Sequence, residues 1–382
     1  MNWRPRTLAE CAKFQSGGTP SKSNPAYWGG DIPWVGSGEM SQSFIYDTEL
    51  RLTSEGAQNG TRAISENTVL VVVRGMSLAK EFRIAITRRP MTFNQDVKAL
   101  QCAEDIDPQF LFYALKARKE YIRDLATEAS HGTKKLETST LNAVEILAPE
   151  TIEEQQAIAE VALNYDELIE NNRRRITLLE ESARQLYKEW FVRFRFPGHE
   201  HVKTVDGVPE GWARLNLGSI CDLKWGDTNT TKDSYVDTGF DAYSAKGLDG
   251  KLDHFDFDRD GIVISAIGAQ CGKTWIARGN WSCIKNTMRM FPTDQRISVE
   301  YLFYATERGD FWQRRGGAQP FISQGDARGL AIVVPPTLLA KQFEDIANSN
   351  LRMAKILADQ NVHLAKARDL LLPKLMSGAI AV

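Results

Sequence analysis

The feature that most restricts the fold is an internal repeat. The chain can be laid over itself at an offset of roughly 185 to 210 residues that drifts through small gaps. Trp3 then falls on Trp212, Leu8 on Leu217, and Gly17 and Thr19 on Gly226 and Thr228. The apolar run before Gly75 falls on the run before Gly268, and Asn94-Gln95-Asp96-Val97 falls near Lys285-Asn286-Thr287-Met288. Phe110-Leu111-Phe112-Tyr113-Ala114 matches Tyr301-Leu302-Phe303-Tyr304-Ala305, and Ile146-Leu147-Ala148-Pro149 matches Ile332-Val333-Val334-Pro335. A long helical pattern follows each copy. The order is globular segment, helix, globular segment, helix, which implies a pseudo-two-fold molecule presenting two similar surfaces. A duplicated scaffold with no ligand would give the same repeat.

The first helical pattern opens at Thr151-Ile152-Glu153-Glu154, a capped and acidic start. Ile158, Ala162, Tyr165, Ile169, Asn172, Ile176, Leu179, Ala183, Leu186 and Trp190 alternate four and three apart, and Pro197-Gly198 closes the segment. The second runs from about Thr337 to Met376 through Phe343, Ile346, Asn350, Met353, Leu357, Gln360, Leu364, Ala367 and Leu371, with Pro373 near its end. Each helix would be on the order of 60 Å long. Such stripes are buried either against each other or along each globular segment. Asn172, Asn350 and Gln360 on the seams are expected to cost stability and fix register. In the globular segments Val69-Leu70-Val71-Val72-Val73 and Ile262-Val263-Ile264 predict buried strands, and the Phe110 and Tyr301 runs predict short helices.

Composition narrows the class. At 382 residues and 42% hydrophobic content the chain can build two or three cores. A net charge of -2 excludes a uniformly basic coat, so any nucleic-acid surface must be a local patch. The five cysteines include no C-x-x-C pair and the five histidines no metal spacing, which argues against zinc and against a disulfide framework. The start, Met1-Asn2-Trp3-Arg4-Pro5, has no apolar signal core, and no stretch approaches the ~20 apolar residues of a membrane span. A cytoplasmic protein without membrane contact is expected.

Two segments imitate catalytic motifs. Asn24-Pro25-Ala26-Tyr27 is similar to the Asn/Asp-Pro-Pro-Tyr motif of adenine methyltransferases, but Ala26 holds the third place and no apolar strand precedes it. Gly268-Ala269-Gln270-Cys271-Gly272-Lys273-Thr274 is similar to a phosphate-binding loop, but it is one residue short and Trp275-Ile276-Ala277 reads as a strand. A tight turn presenting Lys273 fits better. If either motif were genuine, the chain would be a standalone methyltransferase or nucleotide-binding enzyme. If only the helices mattered, it would be a coiled-coil protein scaffold. The run Asp253, Asp256, Asp258 and Asp260 reads as a solvated turn.

Other motifs resemble a known family. Gly17-Gly18-Thr19-Pro20-Ser21 followed by Asn24-Pro25-Ala26-Tyr27-Trp28-Gly29-Gly30-Asp31-Ile32-Pro33-Trp34 resembles the opening of the specificity subunits of type I restriction-modification systems. Pro209-Glu210-Gly211-Trp212 with Leu217-Gly218 resembles the start of their second reader. Gln319-Pro320-Phe321-Ile322-Ser323-Gln324 with Val334-Pro335-Pro336 resembles its end, and Leu371-Leu372-Pro373-Lys374-Leu375-Met376-Ser377-Gly378 resembles their tail. The stretch from Asp227 to Asp260 lacks the Trp-Gly-Gly-Asp-Ile-Pro-Trp motif, which leaves the target sequence open. The resemblance implies an α+β protein with two mixed α/β target-recognition domains, residues 1–150 and 203–336. Residues 151–196 and 337–382 would be the central and C-terminal conserved helices, forming an antiparallel coiled coil that spaces the readers. It also implies a non-catalytic chain on a bipartite site in double-stranded DNA. Two methyltransferase subunits carrying S-adenosylmethionine would methylate adenine at N6, and two restriction subunits using ATP and Mg would join them. Half-sites read from one face lie about one duplex turn, ~34 Å, apart.

DNA reading needs phosphate contacts for position and paired donors and acceptors at base edges for sequence. Candidates at matched loops are Thr19, Ser21 and Lys22 with Thr228, Thr230 and Lys232; Arg74 and Lys80 with Lys273 and Arg278; and Lys134 and Lys135 with Arg314, Arg315 and Gln319. An ordinary solvated position fits any single one equally well. Arg174, within Arg173-Arg174-Arg175, is either a solvated helix position or a contact with a partner subunit or with DNA crossing the coiled coil. Trp190 and Phe191 are partner-surface candidates as large aromatics, or core.

Overall fold

The computed structural model describes residues 2–130, 132–227 and 229–380. The chain forms two compact units, one of Met1–Asn172 with Asp359–Val382 and one of Arg173–Ala358. Each holds one globular segment and one part of each long helix.

In the first unit Trp3–Thr7 pairs antiparallel with Glu145–Pro149. The central sheet runs Ala12–Ser16, Val97–Cys102, Val69–Val72, Ile84–Thr87, Phe44–Ile45. Val69–Val72 is buried on both faces, as its unbroken apolar run predicts. Helix Pro108–Ala117 covers this sheet with Phe110 through Leu115 buried. It starts on a proline at its first position, and the Asp107 carboxylate accepts from the Phe110 amide at 2.8 Å. Trp28–Val35 forms a smaller sheet, parallel to Met91–Phe93 and antiparallel to Arg51–Leu52.

The second unit repeats this plan. Ala213–Asn216 pairs with Ala331–Val334, and the central sheet runs Cys221–Trp225, Thr287–Pro292, Gly261–Ser265, Thr274–Ala277. Helix Val299–Thr306 is capped by Ser298, whose hydroxyl accepts from the Tyr301 amide at 3.1 Å. The stretch that diverges in sequence still builds the same pairing. Phe240–Ser244 lies parallel to Trp281–Cys283 and antiparallel to Gly247–Leu252. Backbone pairing has been retained where the side chains have changed.

The first long helix is Ile152–Tyr187, followed by a wider turn in which the Arg193 amide reaches back to the Lys188 carbonyl at 2.9 Å. Its start is held by Gln155, fully buried. The Gln155 Oε1 accepts from the Asp107 amide at 2.9 Å, and its Nε2 donates to the Asp105 and Pro149 carbonyls at 3.0 and 3.1 Å. The second long helix, Thr337–Leu375, runs past Pro373. In the first unit the Asn172 Nδ2 donates to Asn361 Oδ1 at 3.0 Å, while Asp166 pairs with Arg368. Partners advance in opposite senses, so the helices are antiparallel there. The second unit repeats this: the Asn350 Nδ2 donates to the Leu179 carbonyl at 3.3 Å, and Tyr187 lies 5.8 Å from Phe343.

The seam of the first helix follows the expected positions. The second corrects the sequence reading at alternate places. Its inward residues are Phe343, Ala347, Asn350, Ala354, Leu357, Asn361, Leu364, Arg368, Leu371 and Leu375, all buried or half-buried. Ile346 and Met353 are each 42% exposed, and Gln360 faces outward. The small Ala347 and Ala354 are buried at these places. Asn361 and Arg368 are tolerated because each has a buried partner. Across the seam Asn172 bonds to Asn361, and Gln360 takes no part. No helix among the described residues is long and apolar enough to cross a membrane.

Candidate nucleic-acid interface

Strand register decides which loops share a surface. In the first unit Ser16 lies opposite Lys98 and Val72 opposite Val97. The end of Ala12–Ser16, the end of Val69–Val72 and the start of Val97–Cys102 thus lie at one edge of the sheet. The loops leaving that edge carry Thr19, Ser21 and Lys22, then Arg74 and Lys80, then Gln95. The hairpin of Thr127–Ser130 and Thr133–Lys135 joins them, with Lys134 opposite Gly75 and Lys135 opposite Arg74. Four segments distant in sequence converge there.

The second unit converges the same way. Trp225 lies opposite Met288 and Ser265 opposite Thr287. The Lys285 amide donates to the Thr230 carbonyl at 3.3 Å, and Ile267 bridges to Phe321, which also bridges to Arg315. Thr230, Lys273, Arg314, Arg315 and Gln319 therefore belong to this end of the sheet. Thr228 lies outside the described residues.

The Gly17–Ser21 loop shows what the tryptophan motif is for. A Cβ on Gly17 would come within 2.2 Å of the Phe93 carbonyl oxygen, and one on Gly18 within 2.0 Å of the Gly60 carbonyl oxygen. The loop can press against the sheet end only with glycine at both places. The Trp34 Nε1 donates to the Gly18 carbonyl at 3.0 Å and the Trp28 Nε1 to the Ser21 carbonyl at 3.1 Å, their rings meeting edge to face. The Thr19 hydroxyl donates to Gln95 Oε1 at 2.6 Å. In the second unit a shorter device replaces the tryptophans. Asp227 accepts from the Thr230 hydroxyl and, at 2.9 Å, from the Asn229 amide, and these bonds hold its carboxyl below the usual carboxylate range. Among the described residues Lys22, Arg74, Lys80, Lys134, Lys273 and Lys285 have no ion-pair partner, so their charge is available to an anion.

The comparisons with known proteins agree with this duplicated plan. A family model described as "Type I restriction modification DNA specificity domain" matches residues 1–181. The chain is 26% identical to the type I restriction enzyme MjaIX specificity subunit of Methanocaldococcus jannaschii, over 100% of this chain and 94% of that protein. Over its whole length the chain is thus similar to a type I restriction enzyme specificity subunit, and its first 181 residues match the DNA specificity domain. It is also 30% identical to the EcoR124I/EcoR124II specificity subunit of Escherichia coli, over 53% of this chain and 50% of that protein. The fold is that of the type I restriction-modification S subunit from M. genitalium, with a TM-score of 0.63 at 19% identity, covering 98% of this chain and 96% of that one.

Several sequence-derived candidates also make contacts within the chain. Arg278 donates to Asp260 at 2.6 Å, to the buried Glu300 at 2.7 Å and to Asn348 at 3.1 Å. Lys232 pairs with Asp249, which also accepts from Tyr235 and Ser244 at 2.8 Å. Arg315 pairs with Asp326 at 2.7 Å, Lys135 with Glu137 at 2.7 Å, and Ser21 shares its hydroxyl with Ser23 at 2.8 Å. Arg314 donates to the Gly309 carbonyl at 2.8 Å and covers Gly272. Phe191 is a correction. It is 3% exposed, within the core formed with Trp212, Tyr301 and Phe343, so a partner cannot reach it. Trp190 is half-buried beside it, and Arg174 is exposed.

The motif look-alikes resolve into turns. The Asn24 Oδ1 accepts from the Ala26 amide at 3.1 Å and caps its own turn. In the loop at Gly268 the amides of Cys271, Gly272 and Lys273 donate to the carbonyls of Gly268, Ser265 and Gln270, closing a hairpin with Lys273 exposed. Those amides are not free to cradle a phosphate. Among the described residues no group of three His, Cys, Asp or Glu side chains is placed to hold a metal. Sequence reasoning missed Gln95 and Lys285 as candidates, although the repeat alignment had already paired their tetrapeptides.

Proposed function

We propose that this chain is the DNA-reading subunit of a type I restriction-modification complex, each unit docking one half of a split, asymmetric site in double-stranded DNA. One observation carries this reading: in both units unpaired cations and amide or hydroxyl side chains from separate segments meet at the same end of the central sheet. Cations there neutralise phosphates and fix position, while amides and hydroxyls read base edges. The net charge of -2 is compatible, because the cations are local and acid is spent elsewhere in internal pairs.

The duplicated scaffold suits two copies of one partner. Two methyltransferase subunits, carrying S-adenosylmethionine, would bind around the helices and methylate adenine at N6, with Arg174 and Trp190 as contact candidates. Two restriction subunits using ATP and Mg would complete the restriction complex. This chain holds no cofactor of its own and acts in the cytoplasm.

The test is a mobility shift of bipartite-site DNA by the methyltransferase complex with and without this chain. The shift should require the chain and weaken steeply as salt rises. A complex that binds the same site equally well without it refutes the reading. So does methylation or nucleotide hydrolysis by the purified chain alone that Lys273→Ala abolishes.

A further inference from the structure

We propose that Gln95 reads an adenine in one half-site and that Lys285, its structural equivalent in the second unit, reads a guanine in the other. This rests on the DNA-reading function proposed above. Sequence matching placed the two tetrapeptides one residue out of step; the backbone hydrogen bonds set them in register. The Asn94 amide donates to the Val35 carbonyl at 3.0 Å, and the Ile284 amide to the Tyr243 carbonyl at 2.9 Å. The Val73 amide donates to the Asp96 carbonyl and the Ala266 amide to the Asn286 carbonyl, each at 2.9 Å. The residue between these two anchors is Gln95 in one unit and Lys285 in the other. Both side chains are exposed.

The frame around each is rigid. Asn94 is 7% exposed and its Oδ1 accepts from the Asp96 amide at 3.1 Å, while the Thr287 hydroxyl donates to the Ile284 carbonyl at 2.5 Å. Each turn also contacts the loop that follows the first strand of its sheet, through Thr19 in one unit and Thr230 in the other. A reading side chain needs this, since it must arrive at a base edge already oriented.

The side-chain chemistry differs in the way two different half-sites require. A glutamine amide offers one donor and one acceptor, the complement of adenine N6 and N7. The Thr19 hydroxyl occupies one lone pair of Gln95 Oε1, which fixes which end of the amide accepts and leaves the second lone pair and the Nε2 donors for the base. An ammonium only donates, so it suits guanine N7 and O6 and is refused by the adenine N6 donor. Lys22, Arg74, Lys80 and Lys134 supply cations around Gln95 for the backbone, which leaves the neutral amide free for a base.

The experiment is selection of bound duplexes from a randomised library by the full chain copurified with its methyltransferase partner. The parent should enrich a bipartite motif. Gln95→Ala should relax one A·T position in one half by about 10- to 100-fold, and Gln95→Glu should shift that position toward cytosine, whose N4 donates. Lys285→Ala should relax one G·C position in the other half. The half-site of the unaltered unit reports that each variant is folded. Variants that keep every base preference, or that weaken all sequences equally with a shallower salt dependence, overturn the assignment alone. A parent complex that enriches no motif overturns the DNA-reading function and the assignment with it.

Discussion

Asp166 is a buried carboxylate with three partners in the first unit. It is 4% exposed and accepts from the Tyr113 hydroxyl and the Lys116 ammonium, each at 3.0 Å, as well as from Arg368. It therefore joins both long helices to the helix that covers the sheet. Asp166→Asn keeps the shape and removes the charge, leaving two nearly buried cations with only the half-exposed Asp369 beside Arg368. Breaking a buried ion pair from one side costs about 3–5 kcal/mol. For a unit of this size that is a fall in Tm of about 6–20 °C. Burial, partly opposed by Asp166, pushes the Lys116 ammonium down from 10.5 to about 8. Because the folded chain gives up this proton before the unfolded chain does, Lys116 makes stability rise with pH from about 8 toward 10.5. In Asp166→Asn its charge loses support and the rise begins at lower pH. The deficit of the variant should thus narrow between about pH 7 and about pH 9 without vanishing, since Arg368 stays charged. Calorimetry across that range, with hydrogen exchange to assign the transition to the first unit, measures both effects. A loss below about 1 kcal/mol at neutral pH, or a deficit that widens with pH, would refute the reasoning. Replacing Asp166, Lys116 and Arg368 together by apolar residues of similar volume should recover most of the loss.

Other outcomes rest on the same geometry. Trp34→Phe removes the donor to the Gly18 carbonyl; it should cost about 1 kcal/mol of stability, speed amide exchange at residues 17–22 and weaken binding of one half-site only. Arg278→Ala strands the buried Glu300 and should destabilise by about 3 kcal/mol without altering the salt dependence of DNA binding. Lys273→Ala should do the reverse, leaving Tm unchanged while lowering the salt slope by about 1. Asn172→Leu alone leaves the Asn361 Oδ1 without its donor and should gain nothing, whereas the double change with Asn361→Leu should raise Tm and loosen helix register, read by cross-linking of cysteines placed along the seam.

What was legible in the sequence came from periodicity and repetition. Fully apolar runs marked the buried strands, and matched blocks marked the equivalent elements of the two units. The first helix seam was legible because its inward residues are mostly large and apolar. The second was not: at Ala347 and Ala354 contact depends on smallness, and at Asn361 and Arg368 on partners elsewhere in the chain, neither of which hydropathy records. The candidate interface was legible at the level of loops. Which cations are spent internally was not, because Asp249, Glu300 and Asp326 are brought to Lys232, Arg278 and Arg315 only by folding. Phe191 was misread for the same reason, since an aromatic at a helix end does not declare which side it faces.

The first unit is discontinuous along the chain, and this sets an order of synthesis. Residues 173–358 contain the whole of the second unit, so all of its segments exist before residues 359–382 are made. The core of the first unit includes Leu372, Leu375 and Met376, and Trp3 lies against Gly378, where a Cβ would come within 2.6 Å of the Trp3 ring nitrogen. The core of the segment translated first is therefore completed only when the C-terminal residues of the chain have been made. Chaperone demand during translation should fall on the first half, and a ribosome that stalls near Ala358 should release a chain whose second unit is folded and whose first is not.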